Sequence, residues 1–112
     1  LSTKGKTAPR VTLADIEASI IGSEHYFTAA TAFQEGHEPP PELQLLTFCV
    51  LVLRNGFTVT GESACASPEN FDAEIGRKLA RARAIDKCWP LLGYALKERL
   101  HAMAPPLTGE AQ

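Results

Sequence analysis

The chain has 112 residues, a formal net charge of −2 and 45% hydrophobic residues, which fits one small globular domain with a single modest core. No run approaches the 18 apolar residues that a membrane-spanning helix needs. Three cysteines without a CxxC pair fit a reducing compartment better than a disulfide scaffold.

Residues 1–10 are basic and polar and read as a flexible lead-in. They carry no apolar segment of secretory-signal type. Thr12 and Asp15 have the spacing of a capping box, and Leu13, Ile16 and Ile20 then recur at helical intervals. This predicts a short helix over Leu13–Ile21 that ends at Gly22. Ser23 to Gln34 is ambiguous, with Tyr26, Phe27 and Phe33 set among alanines and threonines, and one or two helical turns are compatible with it. Gly36-His37-Glu38-Pro39-Pro40-Pro41 is a loop, because three successive prolines suit neither helix nor central strand.

Leu45–Leu53 is an apolar run broken only by Thr47, and Asn55-Gly56 precedes the alternating segment Phe57–Glu62. Asn-Gly between such segments signals a β-hairpin with a two-residue turn. That register sets Val52 opposite Val59, Val50 opposite Gly61 and Phe48 opposite Ser63. The first strand is apolar on both faces, so each face needs a cover, and a lone hairpin is marginal in water. The missing partner is a helix, another strand or a second subunit, and a second subunit is the favoured contributor.

Ser67-Pro68-Glu69 reads as a helix start, with serine as N-cap and proline in the first turn. Phe71, Ile75, Leu79, Ala82, Ile85 and Trp89 trace an apolar stripe, while Arg77, Lys78, Arg81, Arg83 and Lys87 occupy other faces. Pro90 kinks or interrupts this helix, Leu91 to Leu100 resume the pattern, and Pro105-Pro106 end it. The reading is an α+β fold: N-terminal helix, antiparallel hairpin and long C-terminal helix, in one domain over residues 11–104. A flexible tail follows at 105–112, and the chain is expected to be a homo-oligomer.

Charge is segregated along the chain. Val11–Gly76 carries ten acidic side chains against Arg54 alone, whereas Arg77–Arg99 has seven basic groups against two acidic ones. Two readings stay open: the basic helix collects anions, or it packs against the acidic half of this chain or of a partner subunit.

Catalytic and metal signatures are missing from the sequence pattern. His25, His37 and His101 are far apart, and no metal-binding spacing, nucleophile elbow or phosphate loop occurs. The cysteines read as small buried hydrophobes. The chain is therefore read as a non-enzyme without metal or cofactor. Anion binding is the chemistry left, through the forked guanidinium groups of Arg77, Arg81 and Arg83, with Arg54 beside the hairpin turn and Arg99 further along the helix. Asn55 and Asn70 are candidate readers of amides or ring nitrogens, and Phe57 and Phe71 are candidate stacking surfaces, as are Tyr94 and Trp89. Against this stands the plain alternative that the basic face is solvated helix surface and that Phe71 and Trp89 belong to the core. The acidic first two thirds make nucleic acid an unfavourable partner.

The run from Leu46 to Cys65, the block Pro68–Arg77 and the later Ala84-Ile85-Asp86-Lys87 and Trp89–Tyr94 together resemble a small bacteriophage and prophage family, the phage gene-product forty-nine/sixty-six type. The resemblance covers residues 8–101 or so. It implies an accessory phage protein, not a virion component, acting in the cytoplasm of an infected or lysogenic host. In size, in its hairpin followed by a long helix and in its arginine-rich helix, the family is also similar to Thoeris anti-defence sponges. That similarity implies an oligomer that sequesters a cyclic nucleotide signal, either a cyclic ADP-ribose isomer or a cyclic oligonucleotide, without turnover. The other functions open to the chain are inhibition of a host protein and nucleic-acid binding through the basic helix.

Overall fold

A computed structural model describes residues 8–33 and 36–104. The lead-in expected over residues 1–10 and the tail over 105–112 fall largely or wholly outside the described residues. In chain order the elements are α1 (Leu13–Ser19), β1 (Ile20–Thr28), β2 (Leu46–Leu53), β3 (Thr58–Ala64) and α2 (Ala73–Met103). Short 3-10 turns lie at Ala29–Ala32, Pro41–Leu45 and Pro68–Asn70. The strands form one antiparallel sheet in the order β1-β2-β3, with α2 across its inner face.

The α1 capping box is present as its sequence predicts. Thr12 Oγ1 accepts from the Asp15 amide at 3.2 Å, and Asp15 Oδ2 accepts from the Thr12 amide at 2.8 Å. The helix ends at Ser19, short of Gly22, because the chain passes straight into β1. The segment read as ambiguous or helical is therefore largely an edge strand. It pairs with β2 from Ile20 opposite Leu53, then from Glu24 opposite Leu51 onward. Two additional β1 residues fall between those pairs, and this bulge returns Glu24 to the same inner face as Ile20.

The hairpin exists, but its register differs by one residue from the two-residue-turn expectation. Leu51 lies opposite Val59, Cys49 opposite Gly61 and Phe48 opposite Glu62. The connection is the three residues Arg54-Asn55-Gly56. The Gly56 amide donates to Leu53 O at 2.8 Å, and the Leu53 amide donates to Phe57 O at 2.8 Å. Gly56 adopts φ +91°, which suits glycine at the last position of a three-residue hairpin loop. Asn55 Oδ1 accepts from the Phe57 amide at 3.0 Å and steadies that loop. The slip turns the inner face into Thr47, Cys49, Leu51 and Leu53 with Val59, Gly61 and Ser63, all buried. Phe48, Val50 and Val52 lie on the outer face beside Thr58, Thr60 and Glu62.

The expected α2 also shifts. Ser67-Pro68-Glu69 opens a 3-10 turn, and the α-helix begins later, capped by Asp72 Oδ1 accepting from the Glu74 and Ile75 amides at 2.9 and 3.3 Å. The helix faces the sheet with Gly76, Ala80, Ala84 and Cys88, spaced four residues apart, instead of the bulky stripe of the expectation. Ile75, Leu79 and Trp89 are substantially exposed. Small side chains allow close docking: a Cβ on Gly61 would stand 2.2 Å from Ala80 O and 2.3 Å from Ala84 N. Ser63 Oγ donates to Gly76 O at 2.7 Å, which satisfies a buried hydroxyl at the same contact. Pro90 lies inside this single helical element. Ile16, Ile20 and Ile85 complete the core, with Val11, Tyr26 and Leu92 packed against it. Of the covers open to the hairpin, the chain's own helix takes this face and β1 supplies an additional strand.

Candidate functional site

The acidic and basic portions of the chain meet at Arg81. Its Nε donates to Glu24 Oε1 at 2.9 Å and its Nη2 to Glu24 Oε2 at 3.1 Å. The same guanidinium donates from Nη2 to Glu17 Oε1 at 2.7 Å and from Nη1 to Glu17 Oε2 at 3.2 Å. Arg81 thus clamps α1 and β1 to α2 with forked, charge-assisted hydrogen bonds. Its hydrogen bonds to the two carboxylates, Glu17 first, raise the Arg81 pKa, and the Arg81 hydrogen bond lowers that of Glu24. Tyr26 donates to Glu24 Oε1 at 2.9 Å; burial, and then this hydrogen bond, push its pKa to about 12. Burial raises the Cys49 and Cys88 thiols as well, which keeps them in the neutral form that a core requires.

With Arg81 engaged in this way, the other predicted site residues fall into separate groups. Arg54 and Asn55 occupy the exposed hairpin loop, and Phe57 emerges from it with 55% of its surface exposed. Phe57 joins Thr58, Thr60, Lys87, Pro90 and Leu91 around a solvent-open hollow of about 690 Å³. At the other end of β3, Asn70 and Phe71 line a second hollow of about 430 Å³ with Leu45, Cys65, Ile75 and Leu79. Arg83 stands on the β3 side of α2 and donates from Nη1 to the Glu62 carbonyl at 3.0 Å. Arg77 is exposed on the first turns of α2 and Arg99 near its C-terminal end. Lys87, Thr58 and Thr60 were outside the predicted set. Lys87 had a signal in its i,i+4 spacing from Arg83, but nothing in the local pattern revealed that β3 is an edge.

The edge has a defined pattern of peptide groups. The Leu53–Phe57 and Cys65–Leu45 hydrogen bonds fix which β3 residues turn toward β2. Thr58, Thr60, Glu62 and Ala64 therefore turn their N–H and C=O groups away from the sheet. The Arg83 contact to the Glu62 carbonyl agrees with that assignment. Regular β3 contains neither proline nor bulge, whereas the β1 edge is broken by its bulge.

Among the described residues, no three His, Cys, Asp or Glu side chains are grouped to hold a metal, and no helix is long and apolar enough to cross a membrane. The arrangement defines an α+β domain that presents an open surface, an edge strand flanked by a helix and by two shallow hollows. Residues 11–100 match the phage protein (N4 Gp49/phage Sf6 gene 66) family, and the chain belongs to that family. No curated protein and no solved structure matches the chain.

Proposed function

We propose that this phage-family protein is a non-catalytic protein-binding module that engages a protein of the infected or lysogenic host cell through its α2–β3 face. The observation that supports this reading is the regular β3 edge, which pairs with no other strand among the described residues and is flanked by exposed Phe57, Ile75 and Leu79 and by the cationic Arg83 and Lys87. Open surfaces of this kind offer area and main-chain hydrogen bonds, not the enclosure that most small-molecule sites provide. The test is capture from host extract with tagged protein. A stoichiometric complex carrying no retained small molecule, and lost in an Arg83→Glu/Lys87→Glu double variant, is the expected result. A complex that survives the double variant sinks the assignment of the face.

Exposed Phe57 beside Lys87, with Arg54 on the adjoining loop, favours a second reading. A cyclic ADP-ribose isomer or a cyclic oligonucleotide stacks a base on the phenyl ring and sets its phosphates against the cations. The hollow is open to solvent, so this sponge reading calls for a homo-oligomer in which a second copy closes it. Native mass spectrometry with a panel of cyclic nucleotides separates the two readings. An intact ligand bound by the oligomer supports sequestration, and an unshifted mass across the panel removes it.

A further inference from the structure

We infer that the β3 edge takes an extended polypeptide strand from a partner protein, with acidic side chains in the middle of the strand and apolar ones at its two ends. The inference rests on the protein-binding reading above and names the partner's chemistry. Three observations meet on the same side of the molecule. The outward peptide groups of Thr58, Thr60 and Glu62 form a template that only another extended backbone fully satisfies. The two apolar hollows lie at opposite ends of β3, whose seven residues span about 23 Å. On α2, Arg83 stands between them at the Glu62 carbonyl and Lys87 on the rim of the Phe57/Leu91 hollow, one helical turn apart.

Side chains on one face of an added strand repeat every second residue. A seven-residue strand thus sends its first and seventh side chains toward the Phe57/Leu91 and Phe71/Leu79 hollows, and its third and fifth toward the two cations. Arg83 already binds the Glu62 carbonyl. An incoming N–H takes over that carbonyl and frees the guanidinium for a carboxylate of the strand. A second copy of this chain is a poorer occupant, because two-fold pairing of β3 with itself brings Arg83 and Lys87 toward their own symmetry mates. It also offers the hollows no bulky apolar ends, since β3 reads Thr-Val-Thr-Gly-Glu-Ser-Ala.

The probe is the capped peptide Leu-Thr-Glu-Thr-Glu-Thr-Leu, which reads the same in both directions and so fits either strand orientation. Titration followed by amide NMR is expected to shift the Thr58, Thr60 and Glu62 N–H groups and slow their exchange with solvent. Replacing both glutamates of the peptide by lysine is expected to weaken binding at least about tenfold. Thr60→Pro removes an outward donor and is tolerated on an edge strand, so it is expected to abolish binding while the α1 and α2 resonances stay in place. Should that variant not fold, Arg83→Glu/Lys87→Glu is read in its place, with the same expected loss. The inference is overturned if the peptide leaves those amides unmoved at about 1 mM, if the lysine peptide binds equally well, or if the edge amides become protected by self-association without peptide. A host protein still captured by Thr60→Pro sinks the strand inference alone. Failure of both peptide and capture sinks the binding reading with it.

Discussion

Replacing Gly61 by alanine tests whether α2 is held at backbone contact with β3. The new Cβ would lie 2.2 Å from Ala80 O and 2.3 Å from Ala84 N, both main-chain atoms that cannot rotate away. Ordinary carbon–oxygen and carbon–nitrogen contacts are more than about 3 Å, so helix and strand must separate by about 1 Å. That shift lifts Ala80, Ala84 and Cys88 from Cys49, Leu51 and Val59 and loosens one contiguous core. Overpacking of this kind costs about 3 kcal/mol or more where backbone must move. With a urea m-value of about 1.5 kcal/mol/M, the midpoint falls by about 2 M. Gly93 is the internal control, since a Cβ there meets nothing within 4 Å and the residue lies inside α2. Gly93→Ala is expected to raise stability by about 0.5–1 kcal/mol through helix propensity alone. A Gly61→Ala protein that unfolds within about 0.3 M of the parent while retaining its m-value refutes backbone contact between α2 and β3.

Arg81→Met leaves Glu17 and Glu24 facing each other and is expected to cost about 2 kcal/mol at neutral pH. The folded-state pKa of Glu24 is depressed, so its contribution is present above the ordinary carboxylate range and is lost as pH falls through the folded value. Urea midpoints of parent and variant should therefore converge toward pH 3; an equal gap at pH 3 and 7 refutes the clamp. Tyr26 behaves in the opposite sense: its raised pKa gives stability that is intact below about pH 10 and lost as pH approaches about 12. Tyr26→Phe should flatten that alkaline decline, which a pH series of thermal melts reads directly. Asp72→Ala removes the oxygen that accepts from the Glu74 and Ile75 amides, and is expected to cost about 1 kcal/mol in the same urea assay.

The α1 start was legible because its capping box is a local three-residue relation that needs no tertiary contact. The hairpin was legible for the same reason, but its register was not. Asn55-Gly56 suits a two-residue turn and, equally, the last two places of a three-residue loop. Strand β2 is apolar on both faces, and Gly61 and Ser63 carry no hydrophobic signal, so nothing in the pattern penalised a one-residue slip. The buried face of α2 was hidden for a related reason: Gly76, Ala80, Ala84 and Cys88 pack through closeness of approach, and Ile75 and Leu79 outweigh them in any hydrophobic stripe. Strand β1 was obscured by its bulge and by an exposed side that mixes His25 with Phe27. At the candidate site, Phe57 and Arg83 were found by residue type. The Arg81 partners lie 57 and 64 positions away, where no spacing rule reaches.

The clamp at Arg81 has a consequence for how the molecule opens. Strands β2 and β3 and helix α2 are consecutive in the chain and share Cys49, Leu51, Val59, Ala80, Ala84 and Cys88. The preceding segment, α1 and β1, adds one sheet edge and two core isoleucines, Ile16 and Ile20, and its ion pairs to α2 converge on one guanidinium. Such a division makes the N-terminal segment the unit of lower local stability, able to peel away and return while the remaining unit stays folded. Its β1 amides are then expected to exchange hydrogen with solvent faster than those shared between β2 and β3. Arg81→Met should widen that gap by accelerating β1 exchange more than β3 exchange.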